Sequence, residues 1–513
     1  MSVDERVPVV TRTVSAVRRP SPGPVVVLAP LVLTIALGLW GIRRENTLWG
    51  DEAVTYQVAR RDLSQIWLTA QHVDLVHALH YALTHAVFEL FGAGLVTLRL
   101  PSVLAMAGAA SGVALLGWRL AGPRAGLAAG AVFALLPQVQ KYAQEGRSYA
   151  LVCALVTWAT YALVTAVPRR GRWRWVVYGS LMLTACLLHE FAVLALFAHG
   201  VTLAVSRVPA RVWRAWVVAA GGVVAGLLPL AVLSAGQSGQ VAWIDGPVRL
   251  NHLLVMAVVG VACALGLRVP GRLVALAVPL LVLPGLLLLL ASLVKPLFVD
   301  RYVLYSNIGI ALLLGAWTDL LQRRWLSPRV TWIAGVAVLA MLVPPSLSLR
   351  TPQSRTNNAT GVAMAVRAEG RVGDGLLYLT EQHRILTSAD PEDTGFLTDL
   401  ALARDGVSSH TLVGVEVPAR EIAARMLEFD RIVVVGGAGG RSVGDAREEV
   451  KRRTLRGCFR EERATWVSGA RVGVYVREQE SAAVAPSRAR GDGVAGSAWG
   501  RAAGSCAPTA LDG

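Results

Sequence analysis

Two adjacent carboxylates, Asp51 and Glu52, stand directly after the first long apolar run of the sequence. That run, 25–40, is long enough for a membrane span, so both acids lie where the chain leaves the bilayer. Charge at this depth is costly unless it faces water or has a partner, so an acid placed here is a candidate functional group such as a general base. The alternative is that the pair only charges the first turn of a following helix.

A second polar group occurs at 74–81, where His77, His80 and Tyr81 lie about one helical turn apart. A His-x-x-His pair can bind a metal ion, but the spacing fixes no third ligand. We therefore predict no cofactor, with a divalent metal ion as an alternative that the spacing does not support. Hydrogen-bonded histidines at the membrane interface are favoured, and substrate contact by His77 is the functional interpretation.

Basic residues stand beside acids and rings at three later points. They are the pair Glu145 and Arg147, the dipeptide that begins with His189, and the pair Arg301 and Tyr302. Ion pairing and interfacial anchoring by long basic side chains explain such residues without any function. Arginine also suits a phosphate site, because its planar fork matches phosphate oxygens.

Carboxylates, cations and aromatic side chains on one membrane face suit the transfer of a group from a lipid-linked phosphate. The leaving group is a phosphate anion, so cations would stabilise the charge that develops on it. An acceptor hydroxyl needs a carboxylate base. No ATP-binding motif is visible in the sequence, and this reaction needs none.

The elements that must position these residues are apolar runs, which recur between residues 25 and 345. Only 16% of the 513 residues are charged and mean hydropathy is +0.51, whereas soluble domains carry about 25% charged residues. We predict a mainly α, polytopic transmembrane bundle of 11–13 spans. The candidate spans are 24–41, 76–92, 101–118, 125–140, 148–167, 175–188, 191–206, 214–234, 251–267, 273–294, 302–321 and 330–349.

Arginine clusters between these runs indicate the orientation. Cytoplasmic loops are rich in arginine, and such clusters occur at 169–174, 207–214, 268–272 and 323–329. The acidic and aromatic groups, the loop at 235–249 and the chain beyond 350 then share the opposite face. Strict alternation separates Asp51 from Glu145, so either 76–92 does not cross fully or 125–167 hides an extra crossing near Pro137.

Composition excludes two other classes. The net charge of +16 is concentrated in the arginine clusters between apolar runs, so we predict membrane lipids and no nucleic acid as partners. The cysteines show neither paired nor CxxC spacing, which argues against a disulfide framework; they are Cys153, Cys186, Cys263, Cys458 and Cys506. The first run lacks an Ala-x-Ala cleavage site and is predicted to remain as a span.

Four parts follow along the chain. We predict a cytoplasmic tail at 1–23, a transmembrane domain at 24–350 with its first extracytoplasmic loop at 42–75, a soluble α/β domain at 351–480 and a disordered tail at 481–513. In the soluble domain, strands at 375–379, 431–435 and 471–476 alternate with helices at 362–369 and 421–428. The glycine run 436–440 matches no phosphate-loop pattern and is predicted to be a turn.

The order of these motifs resembles glycosyltransferase family 39 of the GT-C superfamily, whose relatives include protein O-mannosyltransferases and the aminoarabinose transferase of lipid A. The resemblance covers about residues 25–345. It rests on five stretches in the same order: Asp51-Glu52, Asp74-x-x-His77-x-x-x-Tyr81, Leu98-Arg99-Leu100-Pro101-Ser102, 142–149 and 298–302.

The resemblance implies a membrane transferase that takes a sugar from a polyprenyl phosphate, works on the extracytoplasmic face and inverts the anomeric centre. Asp51 would be the base, and Glu52 would support it. The other implied roles are donor-phosphate binding by Arg99, Arg147 and Arg301, and sugar or acceptor binding by His77, Tyr81, Glu145, His189 and Tyr302. The family's His-Pro-Pro is His77-Ala78-Leu79 here, and its Glu-Ala-Arg is Glu145-Gly146-Arg147, which leaves the sugar open.

The expected partners are a polyprenyl-phosphate-linked mannose or pentose and a glycan, lipid or protein acceptor at a bacterial plasma membrane. Two alternatives remain, a lipid or polysaccharide flippase and a non-catalytic cell-envelope assembly protein. A flippase would favour charges inside spans, whereas these charges cluster at the rims and no strong repeat is visible.

Overall fold

The computed structural model describes residues 22–169, 171–237, 256–324 apart from 258, 262, 265 and 267, 327–437, and 445–478. Most of the predicted tail at 1–23, the loop at 235–249, the span candidate 251–267 and the glycine run fall outside the described residues. The tail at 481–513, with Cys506, lies wholly outside them. The described residues form a helical bundle with a small α/β domain at one end.

The bundle is built from apolar helices, which satisfy their backbone polar groups internally. Proline begins several of them, because the first helical position needs no amide hydrogen bond. The helices are α1 (Pro24–Leu39), α2 (Gly50–Ala59), α3 (Leu63–His72), α4 (Ala78–Phe91), α5 (Leu95–Leu120), α6 (Pro123–Leu135), α7 (Pro137–Ala143), α8 (Tyr149–Ala166), α9 (Arg172–Leu188), α10 (Leu194–Val205), α11 (Ala210–Ala235), α12 (Gly271–Ala291), α13 (Asn307–Arg324) and α14 (Pro328–Ser348).

Five helical stretches of the described residues have the length and composition of a membrane span. They are α5, α8, α11, α12 and the stretch Asp300–Arg324, which ends in α13. Shorter apolar helices are Pro24–Leu39, Pro123–Leu135, Glu190–Val205 and Ile333–Ser348. This architecture agrees with the predicted polytopic bundle, and the exact number of spans stays a prediction.

Both ends of α4 lie at the same end of the bundle. Near its start, the imidazole Nε2 of His80 lies 3.2 Å from the backbone carbonyl oxygen of Gly146. Near its finish, the ring of Phe88 packs edge-on against Tyr56 of α2, with ring centroids 5.5 Å apart. The predicted span 76–92 therefore does not cross.

Helices α5 and α6 pack against each other and return the chain to the end that carries α2, where the carbonyl oxygen of Gln144 accepts a hydrogen bond from Arg44 at 2.6 Å. Pro137 then begins the short α7, which stays at that end. The amide nitrogen of Gly146 donates to the Glu52 carboxylate at 3.0 Å. The two acidic regions that strict alternation separated thus meet.

Helices α5 and α6 pack at short range because Gly126 has no side chain. A Cβ at this position would lie 2.5 Å from the carbonyl oxygen of Ala114 and 2.5 Å from the amide nitrogen of Trp118. Both are backbone atoms, so they cannot yield without a shift of the whole helix. A methyl group here must push α5 and α6 apart.

We expect Gly126→Ala to lower the melting temperature of the purified protein by several degrees, because overpacking costs about 1–3 kcal/mol. Scanning fluorimetry in nanodiscs measures the change. Gly285→Ala in α12 is the matched control, since an added Cβ there meets nothing within 4 Å. Equal melting of the two variants would contradict the close packing of α5 on α6.

The α/β domain has a five-stranded sheet of order β2-β1-β5-β7-β6 and a separate β3–β4 pair. Strand β1 is parallel to β2 and β5, and β7 is antiparallel to β5 and β6. The elements are α15 (Ala359–Glu369), α16 (Ala419–Leu427), α17 (Ala446–Cys458), β1 (Gly375–Tyr378), β2 (Thr398–Asp399), β3 (Leu402–Arg404), β4 (Val415–Glu416), β5 (Arg431–Gly436), β6 (Phe459–Val467) and β7 (Ala470–Arg477). The predicted strands match β1, β5 and β7, and the predicted helices match α15 and α16.

The first loop and the α/β domain share one apolar core. The amide nitrogen of Ala359 donates to the carbonyl oxygen of Leu48 at 2.9 Å. The amide nitrogen of Gly50 donates to the side-chain oxygen of Asn357 at 2.6 Å. The core contains Leu48, Ala53, Phe88, Leu98, Val362, Leu376 and Val433. Truncation at the predicted boundary of 350 would therefore strip α2 of its packing, so it cannot isolate the role of the domain.

Candidate active site

Asp51 is the second residue of α2, where a carboxylate is stabilised by the positive end of the helix dipole. Its side chain is 31% exposed, and its Oδ2 lies 3.1 Å from Nη2 of Arg301. Asp51 therefore fits both interpretations, since it charges the first helical turn and also faces the guanidinium of Arg301. We call the region around these two groups the cleft; it is bounded by Arg147 and by the rings of His77, Tyr149, His189 and Tyr302.

Glu52 points the opposite way, into the protein. Arg99 donates to both of its oxygens, from Nε at 2.7 Å and from Nη2 at 2.6 Å. Arg44 adds a third bond, from Nη1 at 3.2 Å. Burial alone would raise the pKa of Glu52, but these two arginines outweigh it and hold the pKa at about 2. Glu52 is therefore a charged structural hub without access to a substrate.

The position of Arg99 requires a correction. Its side chain is fully buried, and besides Glu52 it donates to the carbonyl oxygens of Ile42 at 2.6 Å and Thr47 at 2.7 Å. These partners use its guanidinium nitrogens, so Arg99 does not reach the cleft. The predicted contact with a donor phosphate becomes a structural role, in which Arg99 holds the first loop against α5.

Arg301 faces the cleft beside Asp51. Its guanidinium lies over the rings of Trp49 and Tyr149, each at 5.6 Å, and over Tyr302 at 5.9 Å. Its Nε also donates to the Tyr149 hydroxyl at 3.1 Å. These rings hold the cation in place while its charge remains directed at the carboxylate.

Arg147 is the second cation of the cleft. Its Nη1 lies 3.3 Å from the Thr55 hydroxyl and 3.3 Å from the Tyr81 hydroxyl. Arg147 is buried, with only 6% of its surface exposed. In the part of the chain that the structure describes, no carboxylate oxygen lies within 4.0 Å of its guanidinium. A buried cation that bonds only to hydroxyls retains most of its capacity for an anionic ligand.

Aromatic and imidazole rings form one wall of the cleft. His189 lies 4.5 Å from Tyr302, 5.5 Å from Tyr149 and 5.9 Å from His77, measured between ring centroids. Burial lowers the pKa of His189 to about 3 and that of His77 well below its usual value, and Arg147 adds to both effects. Both imidazoles are therefore neutral at pH 7, and their buried Nδ1 atoms lack hydrogen-bond partners among the described residues.

Tyr81 and His80 take different roles from the same helix. The Tyr81 hydroxyl donates a short hydrogen bond to Asp74, and burial raises the pKa of that carboxyl. His80 bonds to the backbone, as described for α4, in line with the favoured interpretation of a hydrogen-bonded histidine. Across the described residues, no group of three or more His, Cys, Asp and Glu side chains is arranged to hold a metal ion.

Glu145 is 1% exposed and has the guanidinium of Arg355 as its neighbour. Its Oε2 lies 3.5 Å from Nε of Arg355, and neither carboxylate oxygen accepts a hydrogen bond within the described residues. Burial raises the pKa of Glu145. A buried carboxylate without hydrogen-bond donors among the described residues can accept hydrogen bonds from the hydroxyl groups of a ligand.

Sequence reasoning missed three cations near the site: Arg44, Lys141 and Arg355. Arg44 is one of two adjacent arginines after the first apolar run, and Lys141 stands just before the motif at 142–149. Arg355 follows α14 and has no motif around it, yet its Nη2 donates to the carbonyl oxygen of Lys141 at 2.9 Å. Only the fold brings it to Glu145.

Comparison with known proteins supports a family and a fold. A family model described as dolichyl-phosphate-mannose-protein mannosyltransferase matches residues 78–234. The structure of ArnT from Cupriavidus metallidurans bound to undecaprenyl phosphate is similar with a TM-score of 0.58 at 12% identity, covering 87% of this chain and 97% of ArnT. Its apo form gives the same values, a TM-score of 0.58 at 12% identity. No curated protein sequence matches the chain.

A second group of solved structures is more distant. The oligosaccharyltransferase AglB from Archaeoglobus fulgidus, solved with an inhibitory peptide and a dolichol-phosphate, has a TM-score of 0.42 at 12% identity, covering 79% of this chain and 69% of AglB. The likeness to ArnT shows the fold and confirms the predicted helical bundle, and the family model, which matches less than a third of the chain, supports the predicted glycosyltransferase.

Proposed function

We propose that this membrane glycosyltransferase of the GT-C fold moves a sugar from a polyprenyl phosphate to an acceptor hydroxyl, with inversion and with Asp51 as the general base. The observation that carries the proposal is the contact between the carboxylate of Asp51 and the guanidinium of Arg301, 3.1 Å apart in a cleft that also holds Arg147. The undecaprenyl phosphate bound to the structurally similar ArnT supports the class of donor.

The reaction that this cleft suits is a single displacement. The acceptor oxygen bonds to the anomeric carbon while the bond from that carbon to the donor phosphate oxygen breaks. The electron pair of the broken bond leaves with the phosphate, whose growing charge Arg147 and Arg301 stabilise. The proton of the acceptor hydroxyl passes to Asp51. His77, His189 and Tyr302 would then contact the sugar.

Asp51 and the donor phosphate compete for Arg301. Without donor, the guanidinium of Arg301 lies 3.1 Å from the carboxylate of Asp51. The donor phosphodiester carries one negative charge, and the leaving phosphate gains a second as the bond to the sugar breaks, which would draw the guanidinium toward it. The carboxylate of Asp51 would thereby leave its contact with Arg301 and face the acceptor hydroxyl as the bond to the phosphate breaks.

We expect Arg147→Gln to raise the dissociation constant for undecaprenyl phosphate about 10- to 100-fold, because one charge-assisted hydrogen bond contributes about 1.5–3 kcal/mol. Calorimetric titration of the protein in nanodiscs measures this constant. Arg43→Gln is the control, since Arg43 is an exposed arginine of the first loop. Equal affinity in both variants would remove Arg147 from the phosphate site.

The extracytoplasmic orientation is supported by the distribution of arginines. The predicted cytoplasmic clusters border the end of the bundle away from Asp51, as at Arg174 in the first turn of α9 and Arg323 in the last turn of α13. Mannose and a pentose are the sugars we propose, at the outer face of a bacterial plasma membrane. Acceptors remain glycans, lipids or proteins.

The test is turnover in membranes that contain the full chain. We expect label to leave one of three donors, polyprenyl-phosphate mannose, arabinose or glucose, in right-side-out vesicles with an external acceptor extract. Membranes with Asp51→Asn protein provide the blank. If none of the three lipids loses its label above this blank, the proposed donor class is wrong.

A further inference from the structure

A groove lies in the α/β domain, on the side of the sheet that carries α17. It runs between α17 and the β6–β7 hairpin and has a volume of about 770 Å³. Its floor is formed by Leu379 and Gly436, which end the parallel strands β1 and β5. Sheets of this kind bind ligands at the carboxyl ends of their parallel strands.

The hairpin presents an aromatic platform to this groove. Trp466 of the edge strand β6 is 61% exposed, and the guanidinium of Arg471 lies over its ring at 5.6 Å. Arg471 is held by Glu461, which also accepts a hydrogen bond from the Tyr475 hydroxyl at 2.9 Å. These four side chains thus form a preorganised surface that leaves one face of the indole open.

Each arginine that lines the groove lies beside a carboxylate. On α17, Arg452 binds Glu448 at 2.8 Å and Arg456 lies 3.5 Å from Glu449. Because each of these arginines already faces a carboxylate, the groove has little net attraction for a polyanion. It offers instead a flat apolar ring surrounded by guanidinium groups that donate hydrogen bonds and carboxylates that accept them.

A neutral glycan has the complementary chemistry. Each sugar ring has an apolar face of C–H groups that stacks on an aromatic side chain, and a rim of hydroxyl groups that both donate and accept hydrogen bonds. The volume of the groove lies in the range of ligand pockets, about 300–1,000 Å³. A ligand of several linked rings would use both Trp466 and the charged pairs on α17.

The hairpin is joined to the catalytic segment. In the turn after β6, the carbonyl oxygen of Ser468 accepts the amide hydrogen of Asn358 at 2.9 Å. The neighbouring Asn357 accepts the amide hydrogen of Gly50 at 2.6 Å, one residue before Asp51. A ligand held by Trp466 therefore lies on a hairpin that is linked to the start of α2 indirectly, through one hydrogen bond to Asn358 and one from Gly50 to Asn357.

We propose that this groove binds a neutral oligosaccharide, the acceptor glycan, at a distance from the transfer site. The inference rests on the proposed function for the role of the glycan but not for its binding. Trp466 supplies the stacking surface, and Arg471 with Glu461 binds the hydroxyl groups.

The test measures binding of α-linked mannohexaose and arabinohexaose to the full chain in nanodiscs by saturation-transfer NMR and calorimetry. Tripolyphosphate is the anionic probe for comparison. We expect one hexaose to bind, and Trp466→Ala to weaken that binding about tenfold. Trp173→Ala is the matched control, because Trp173 is 62% exposed and also has an arginine over its ring, but at the start of α9. Tyr475→Phe, which removes only a hydroxyl, should weaken binding without any change in melting.

The proposal is overturned if neither hexaose binds, if tripolyphosphate binds in their place, or if Trp466→Ala binds the hexaose as the Trp173→Ala protein does. Asp51→Asn protein separates the two proposals, since it should bind the hexaose normally while transferring nothing. Hexaose binding without turnover of any labelled donor would defeat the proposed function alone. Donor turnover that depends on Asp51, without hexaose binding, would defeat the groove alone.

Discussion

Asp51→Asn is expected to lower kcat for sugar transfer by about 10²- to 10⁴-fold, the usual contribution of a positioned general base. An asparagine oxygen still accepts a hydrogen bond from Arg301, and asparagine fits the first turn of α2, so the fold and donor binding should persist. What is lost is the group that takes the proton of the acceptor. The measurement is transfer of labelled sugar at saturating donor, together with the melting temperature.

Glu45→Gln provides the control for this variant, because Glu45 is an exposed carboxylate in the same loop. We expect its kcat to equal that of the wild type. An Asp51→Asn enzyme with wild-type kcat would show that another group accepts the proton. If Asp51→Asn melts at a lower temperature than Glu45→Gln, part of its loss of activity comes from destabilisation of the fold.

The placement of Asp51 and Arg301 on one face of the bundle was predictable from the sequence, although 249 residues separate them in the chain. Two patterns together determine it. Apolar runs fix where the chain crosses, and arginine clusters fix which loops face the cytoplasm. Loops on the opposite face must then share a surface, whatever their distance along the sequence.

Helix α4 shows where this reasoning fails. Hydropathy measures the composition of a segment, and 76–92 is as apolar as a short span. Whether such a segment crosses depends on what its two ends touch. His80 and Phe88 both find partners at one end of the bundle, which no property of residues 76–92 reveals.

The different roles of Asp51 and Glu52 were also beyond the sequence. Neighbouring residues of a helix point about 100° apart, so one of the two had to leave the cleft. Which one did so depends on Arg44 and Arg99, whose partners are set by packing. An arginine near a helix end has the same sequence signature whether it meets a buried glutamate or a phosphate, and Arg99 was misassigned for this reason.

In the α/β domain, β6 and α17 escaped prediction because both carry many charges. The stretch Phe459–Val467 contains four charged residues, as suits an exposed edge strand, and these obscure its alternation. Helix α17 has few apolar residues, which pack inward while its charges form pairs along the helix. The groove that these two elements enclose was therefore invisible in the sequence.

Glu52→Gln is expected to destabilise the protein by about 3–5 kcal/mol, because removing one partner of a buried ion cluster leaves uncompensated charge. Arg44 and Arg99, 1% and 0% exposed, share this carboxylate and would face each other without it. We expect a large fall in the melting temperature and loss of transfer at the growth temperature, with Glu45→Gln again unchanged. A variant that melts like the wild type would show that the arginines find other compensation.

The pH dependence of the same variant identifies the cause. The pKa of Glu52 is lowered in the folded protein from its ordinary value of 4.5 to about 2, so its contribution to stability is complete above pH 4.5 and is lost as the pH falls toward 2. The difference in melting temperature between wild type and Glu52→Gln should shrink over this window. Adding Arg44→Gln to Glu52→Gln removes one of the two unpaired charges and should restore part of the stability, whereas a purely catalytic role for Glu52 predicts no such rescue.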